Sequence, residues 1–244
     1  MRVYRIAERN IGVESLHDRV HERCAAYGTE GAPDFTVTIT QADIDREQEA
    51  SAREDRLEGR SERVWGEAYL EELAVYRKIA ERMPLYDTFL FHGSAVAVDG
   101  QGYLFAARSG TGKSTHARLW RELLGDRLVY VNDDKPLIRI APEAALIYGT
   151  PYDGKHHLST NVAAPLRAVC LLRRGEQNEI REIGAREAFP RLMQQVYCPQ
   201  DRTALARTLG LLQGLTERVR FYDLACNMEA DAARTSFEGM GGVL

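Results

Sequence analysis

Residues 107–114 read Ala107-Arg108-Ser109-Gly110-Thr111-Gly112-Lys113-Ser114. This matches the phosphate-binding template G-x-x-x-x-G-K-[ST], which follows a strand and opens a helix. Gly110 and Gly112 have no Cβ, so the backbone can curl with its N–H groups turned inward toward phosphate oxygens. A helix opening at Lys113 adds the partial positive charge of its N-terminus. Lys113 then reaches the β- and γ-phosphates of a bound nucleotide, and the Ser114 hydroxyl reaches a magnesium ion. Ala107 stands where the template has its first glycine, which requires a negative φ there. The flanks agree with the template: Gly102–Ala107 reads as a strand and Lys113–Leu124 as an amphipathic helix.

A second acidic element comes soon afterwards. Asp133-Asp134 follows the apolar run Leu128-Val129-Tyr130-Val131, only 20 residues after Lys113. Paired carboxylates at the end of a buried strand are costly unless they hold a cation or accept protons. The interval fits one helix, a turn at 125–127 and one returning strand. That strand is predicted to lie beside the phosphate-loop strand, ending with the carboxylates near the phosphates.

The rest of the chain alternates short strands and helices. Arg2–Ala7 and Phe35–Ile39 read as strands, and Val13–Tyr27 carries helical spacing. Residues 43–63 hold thirteen charged residues of mixed sign and read as a solvated helix face or a mobile loop. Glu67–Met83 is a clear amphipathic helix that Pro84 ends. Strands are expected at Asp87–Phe91, Ser94–Val98, Leu128–Asn132, Leu137–Ala141, Ala145–Tyr148, Ala168–Leu172 and Arg220–Leu224. Helices are expected at Ala185–Val196, Arg202–Arg218 and near Glu229–Phe237. No Gly-, Pro- or Ser-rich linker interrupts them. The economical fold is α/β: one domain over 1–244 with a central mixed sheet, comprising an N-terminal embellishment (1–85), a core (86–225) and a C-terminal helix (226–244).

Composition narrows the function classes. The 244 residues carry 32 Lys+Arg against 36 Asp+Glu, a net charge of −4, and 44% are hydrophobic. A mildly acidic chain without basic runs has no electrostatic footprint for nucleic acid. The longest apolar run, Ala168–Leu172, falls far short of a membrane span. The N-terminus lacks the apolar stretch of a secretory signal, so a cytoplasmic location is expected. The four cysteines form no CxxC pair and read as buried structural thiols.

The run His92-Gly93-Ser94-Ala95, then Ser109 to Thr115 (SGTGKST), then Asn132-Asp133-Asp134 resembles the HPr kinase/phosphorylase and ATP-dependent PEP carboxykinase superfamily. The discriminating feature is the short gap between phosphate loop and aspartate pair. The resemblance covers about residues 88–140, with a similar layout out to about residue 225. It implies ATP and magnesium as cofactors, with Ser109, Gly110, Thr111, Gly112, Lys113, Ser114 and Thr115 forming the triphosphate cradle. Ser114 and Asp134 would hold the metal. Asp133 would take the proton from the attacking hydroxyl, and His92 would sit by Asp133 and orient it. Association into homo-oligomers is also implied. Thr115 follows the carboxykinases, since HPr kinases carry an acidic residue there. The separate N-terminal domain and the substrate-engaging C-terminal loop of HPr kinases have no counterpart, so the implied acceptor is not HPr.

Residues 148–161 follow a predicted strand and are dense in hydrogen-bonding groups shaped by Gly149, Pro151 and Gly154. Lys155, His156 and Asn161 are candidates for binding a transferred phosphate or an anionic acceptor, against the plainer reading of a solvated loop. Arg108 points either at the nucleotide or at solvent. The leading function is an ATP- and magnesium-dependent kinase acting on a hydroxyl of a protein or small metabolite, with Asp133, His92 and Lys113 as its catalytic set. Two alternatives stand beside it: an ATP-binding accessory module without transfer, and a carboxykinase-like activity on a small carboxylic acid.

Overall fold

The computed structural model describes residues 1–57 and 59–244, and the chain divides into two compact units, Met1–Arg82 and Met83–Leu244. Glu58, within the charged run, lies outside the described residues.

In the first unit, β1 (Arg2–Ile6) and β2 (Arg9–Glu14) form an antiparallel hairpin. Its two-residue turn places Ala7 and Glu8 at φ 46° and 64°, the left-handed geometry that matches strand twist. The helical spacing at Val13–Tyr27 misleads. Val13 belongs to β2, and only α1 (Arg19–Arg23) and a 3₁₀ turn at Ala25–Tyr27 are helical. Val13 at the strand end and Leu16 beyond it fall three positions apart, which mimics one helical repeat over so short a window. Parallel to β2 runs β3 (Phe35–Thr38).

The charged run forms α2 (Gln41–Leu57), paired with α3 (Glu67–Arg82). It is not uniformly solvated. Asp55 is fully buried, where Arg63 donates to it at 2.6 Å. Asp43, also buried, accepts from Lys78 at 2.6 Å. Burial pushes the Asp43 carboxyl up, but Lys78 and Thr40 outweigh that and bring it down to about 2.

The second unit is α/β, built on a nine-stranded mixed sheet. After a 3₁₀ turn at Met83–Tyr86 come β4 (Thr88–Leu90), β5 (Ser94–Val98) and β6 (Gln101–Ala106). Helix α4 (Lys113–Leu124) leads through a short turn to β7 (Leu128–Asn132). Then follow β8 (Leu137–Ile140), β9 (Ala145–Tyr148) and the long β10 (Ala163–Arg174). The chain continues through β11 (Glu179–Ile183), α5 (Ala185–Met193), α6 (Arg202–Arg218), β12 (Arg220–Cys226) and α7 (Ala230–Gly239).

The strand order β4-β8-β9-β10-β6-β5-β7 corrects one expectation: β7 does not lie beside the phosphate-loop strand β6. β5 stands between them, antiparallel to both. The reason is local. Asp99 and Gly100, at φ 49° and 78°, close a two-residue turn, so β5 folds back on β6 and occupies that edge first. The first residues of β10 pair antiparallel with β9, and its later residues pair parallel with β6 and β12. Apolar side chains fill both faces. Trp120 of α4 and Phe237 of α7 cover one, while Leu192 of α5 and Leu212 and Leu215 of α6 cover the other.

No helix among the described residues is long and apolar enough to cross a membrane. Of the four free thiols, Cys24 and Cys170 are buried as expected, while Cys226 is half-buried and Cys198 exposed.

Candidate active site

Strand β6 ends at Ala106, and α4 opens at Lys113 with Gly112 as its first flanking residue. The intervening turn needs left-handed backbone at Gly110 (φ 75°) and Gly112 (φ 121°). A Cβ at either would meet nothing within 4 Å, so glycine is required there for conformation and not for room. Ala107 is absent from the residues with positive φ and is buried in the core, which is how an alanine replaces the first template glycine. Arg174, from the end of β10, donates to the Gly110 carbonyl at 2.7 Å and braces the loop. Lys113 is buried and donates to the Ala107 carbonyl at 3.1 Å. Burial lowers its pKa, and the nearby Asp134 charge opposes that.

The aspartate turn is organised by Asn132, a fully buried side chain at the end of β7. Its Oδ1 accepts from the backbone N–H of Asp134 at 2.9 Å and of Lys135 at 2.6 Å. Its Nδ2 donates to the Thr150 hydroxyl at 3.0 Å. This turn sends the two carboxylates to different environments.

Asp133 is 3% exposed, and its Oδ1 accepts from the Gly154 N–H at 2.7 Å. Its Oδ2 is buried and has no hydrogen-bond partner. Burial raises its pKa, the Gly154 bond opposes this, and the charges of Asp153 and Asp134 reinforce it. Asp134 lies 3.2 Å from His92 Nε2. Burial raises its carboxyl as well, but the His92 hydrogen bond and the Lys135 and Lys113 charges prevail, and the net shift is downward.

His92 was expected to sit by Asp133; the structure places it on Asp134. The backbone explains the exchange. Gly93 N–H donates to the Asp134 carbonyl at 3.0 Å, and His92 N–H to the Gln195 carbonyl at 2.7 Å. Together they hold the imidazole alongside the second carboxylate.

Gly149 and Gly154 shape the 148–161 segment. A Cβ at Gly149 would fall 1.8 Å from the Thr160 carbonyl oxygen, and one at Gly154 would fall 3.0 Å from Asp133 Oδ2. The segment brings Lys155 and His156, both exposed, to a hollow of about 450 Å³ that Lys113, Ser114, Asp133 and Asp134 also line. His92, Ser109, Gly110, Gly112 and Thr115, also expected at the site, line it too. Asn161 is exposed and does not line this hollow. Thr111 lines two neighbouring hollows instead. One of these, of about 410 Å³, is faced by Leu119, Leu172 and Met228. Arg108 lines the other.

Asn132, Thr150 and Arg174 were not identified from sequence. Asn132 carried a signal, because an asparagine before a turn caps the N–H groups that follow it. Thr150 and Arg174 carried none, since tertiary pairing alone brings them in. Among the described residues no cluster of three or more His, Cys, Asp or Glu side chains is arranged to hold a metal. A magnesium ion shared between one or two protein ligands and substrate phosphates needs none.

Among solved structures, the chain is similar to the Hpr(Ser) kinase/phosphatase from Coxiella burnetii. The two share 10% sequence identity, with a TM-score of 0.34 over 63% of this chain and 99% of the other. No curated protein matches the chain. The family model described as SynChlorMet cassette protein ScmC matches residues 67–231, which include the phosphate loop, the aspartate turn and His92. With that match spanning more than half of its length, the chain belongs to the SynChlorMet cassette protein ScmC family.

Proposed function

We propose that this protein is an ATP- and magnesium-dependent phosphotransferase acting on a hydroxyl group of a protein or a small molecule. The observation that carries this reading is Asp133, which lines the same hollow as Lys113 and keeps one buried carboxylate oxygen without a hydrogen-bond partner. A buried acceptor with a raised pKa is suited to taking a proton from an attacking hydroxyl.

The residues fit the cofactor. Gly110 and Gly112 free the loop amides, Lys113 supplies a cation and Ser114 a hydroxyl, and Asp134 is held ionised by His92. Bound ATP with its magnesium supplies the phosphoryl group and neutralises charge as it transfers. The loop amides and Lys113 would hold the triphosphate, and Ser114 and Asp134 would hold the metal. The acceptor hydroxyl would take the γ-phosphoryl group with ADP as the leaving group, and the Asp133 carboxylate would receive the hydroxyl's proton. Lys155 and His156 form the rim through which the acceptor enters. His92 is a positioning residue for Asp134.

Incubation with γ-labelled ATP and magnesium against fractionated cell extract tests this. Label should appear in a protein or small-molecule fraction with wild type and not with Asp133→Asn. A protein that binds Mg-ATP but labels no fraction is the accessory module instead.

A further inference from the structure

Beside the phosphate loop lies a hollow of about 380 Å³ with a different character. It opens between the carboxyl ends of the parallel strands β6 and β10, the position where α/β sheets place ligands. Arg108, Arg173, Arg174 and Arg191 line it, with Gln194 and Gln195 from the end of α5, and no carboxylate does so among the described residues.

The charges around it do not cancel. One buried carboxylate, Asp223, serves Arg173 at 3.1 Å and Arg191 at 2.5 Å, with Arg181 at 3.7 Å. Arg174 donates to a neutral carbonyl, that of Gly110. The Arg108 guanidinium, which is exposed, makes no hydrogen bond or ion pair among the described residues. A second observation is independent of the arginines. Gln195 is only 8% exposed, yet its side-chain amide makes no hydrogen bond, and its Oε1 is buried without a partner. The same amide carries two Nε2 N–H donors that no carbonyl or carboxylate takes up, and the residue lines the hollow together with the guanidinium groups.

We propose that this hollow is a second oxyanion subsite, distinct from the triphosphate cradle, which takes the phosphate or carboxylate of a ligand other than the nucleotide. Guanidinium forks bind such groups with two parallel N–H donors, and of the Gln195 amide it is the Nε2–H, the donor end, that supplies a further contact. The inference rests on the phosphotransferase reading in that Lys113 and its loop hold the nucleotide's own phosphates. It adds that an acidic ligand binds next to them.

The test loads the full-length protein with the non-hydrolysable ATP analogue β,γ-imido-ATP and magnesium, so that the γ-phosphate position is filled. Inorganic phosphate, malonate and the neutral control glycerol are then titrated by calorimetry. One equivalent of phosphate or malonate should bind and glycerol should not, and the tighter of the two names the preferred oxyanion. Arg108→Ala and Gln195→Leu should each weaken that binding by about tenfold or more, the loss of one charge-assisted contact. Gln195→Leu should also melt no lower than wild type, because it removes an amide that has no partner. Loaded wild type that takes up neither anion overturns the proposal, as does unchanged anion affinity in either variant. The imido-ATP titration comes first and separates the two readings. Normal nucleotide binding without anion uptake sinks only the subsite, whereas a protein that takes no nucleotide sinks both.

Discussion

His92 reaches past the first aspartate and sets its Nε2 3.2 Å from Oδ1 of Asp134. That contact divides two adjacent carboxylates into unlike groups. Asp134 is paired and held ionised, while Asp133 is buried with one oxygen satisfied by the Gly154 amide and the other unsatisfied. Two neighbouring carboxylates pushed in opposite directions is the pattern by which acid–base assignments are made.

Asp133→Asn should retain Mg-ATP binding while lowering phosphoryl transfer by about 10²–10⁴, the usual range for a lost proton acceptor. The amide oxygen can still accept from Gly154, so the loop keeps its shape. Calorimetric binding and labelled transfer on the same preparation check this. A variant that loses binding first reverses the roles of the two aspartates.

His92→Ala should act on Asp134. Metal-dependent nucleotide affinity should fall, with the magnesium requirement moving to higher concentration, because the carboxylate loses its positioning partner. Titration of magnesium at fixed ATP reads this directly. An unchanged magnesium requirement with reduced transfer would return His92 to Asp133.

The carboxylates should also leave opposite marks on stability against pH. The folded-state pKa of Asp134 lies below its ordinary value of 3.8, so its contribution is present above that pH and fades as pH falls through the folded value. Asp133 is raised above 3.8, so the folded protein loses stability as pH climbs through that interval. Urea unfolding from pH 3 to 7 should show Asp133→Asn gaining on wild type as pH rises, and Asp134→Asn losing to it.

Lys113→Met should abolish stabilisation by Mg-ATP. At about 100 times the dissociation constant, a bound ligand adds about 2.7 kcal/mol to the wild type. Equal melting shifts in both proteins would remove the phosphate-loop assignment.

Ser236→Ala tests the far side of the loop helix. Ser236 Oγ accepts from Trp120 Nε1 at 2.8 Å and lies 2.9 Å from His116 Nε2, all three residues being buried. Removing it strands buried polar groups and should cost about 1–3 kcal/mol in urea unfolding. Burial lowers the His116 pKa to about 4 from 6.5. The unfolded chain therefore binds more protons between those values, and stability should fall as pH drops through that window. Replacement by glutamine should flatten that part of the curve.

The phosphate loop, its helix and the aspartate strand were legible because each is encoded locally. Glycines at forced φ, a heptad-like apolar stripe and a β-branched run leave little freedom over residues 101–132. Strand β11 escaped notice, since Glu179–Ile183 is mostly polar and exposed at the sheet edge. Helix α1 was overextended because Val13 and Leu16 fall on a chance helical spacing. The partner of His92 lay beyond any local rule. It depends on Gly93 meeting the Asp134 carbonyl and on Gln195, more than 100 residues away, receiving the His92 N–H. Asn132 does carry a local signal, since an asparagine at a strand end can accept from the N–H groups of the turn that follows it.

Strand β10 also bears on how the chain reaches this state. Its Val169 stands between Leu104 of β6 and Phe221 of β12. The strand that flanks the phosphate loop and supplies its brace, Arg174, therefore stays open on one side until the last tenth of the sequence arrives. Parallel pairings of such long sequence separation close slowly. During synthesis the loop helix and the β5–β6 hairpin form early, but the cradle stays unsupported until β12 leaves the ribosome. On the proposed reading, nucleotide binding would be a late event that awaits β12, and truncations short of residue 226 should yield a protein with an intact motif and no grip.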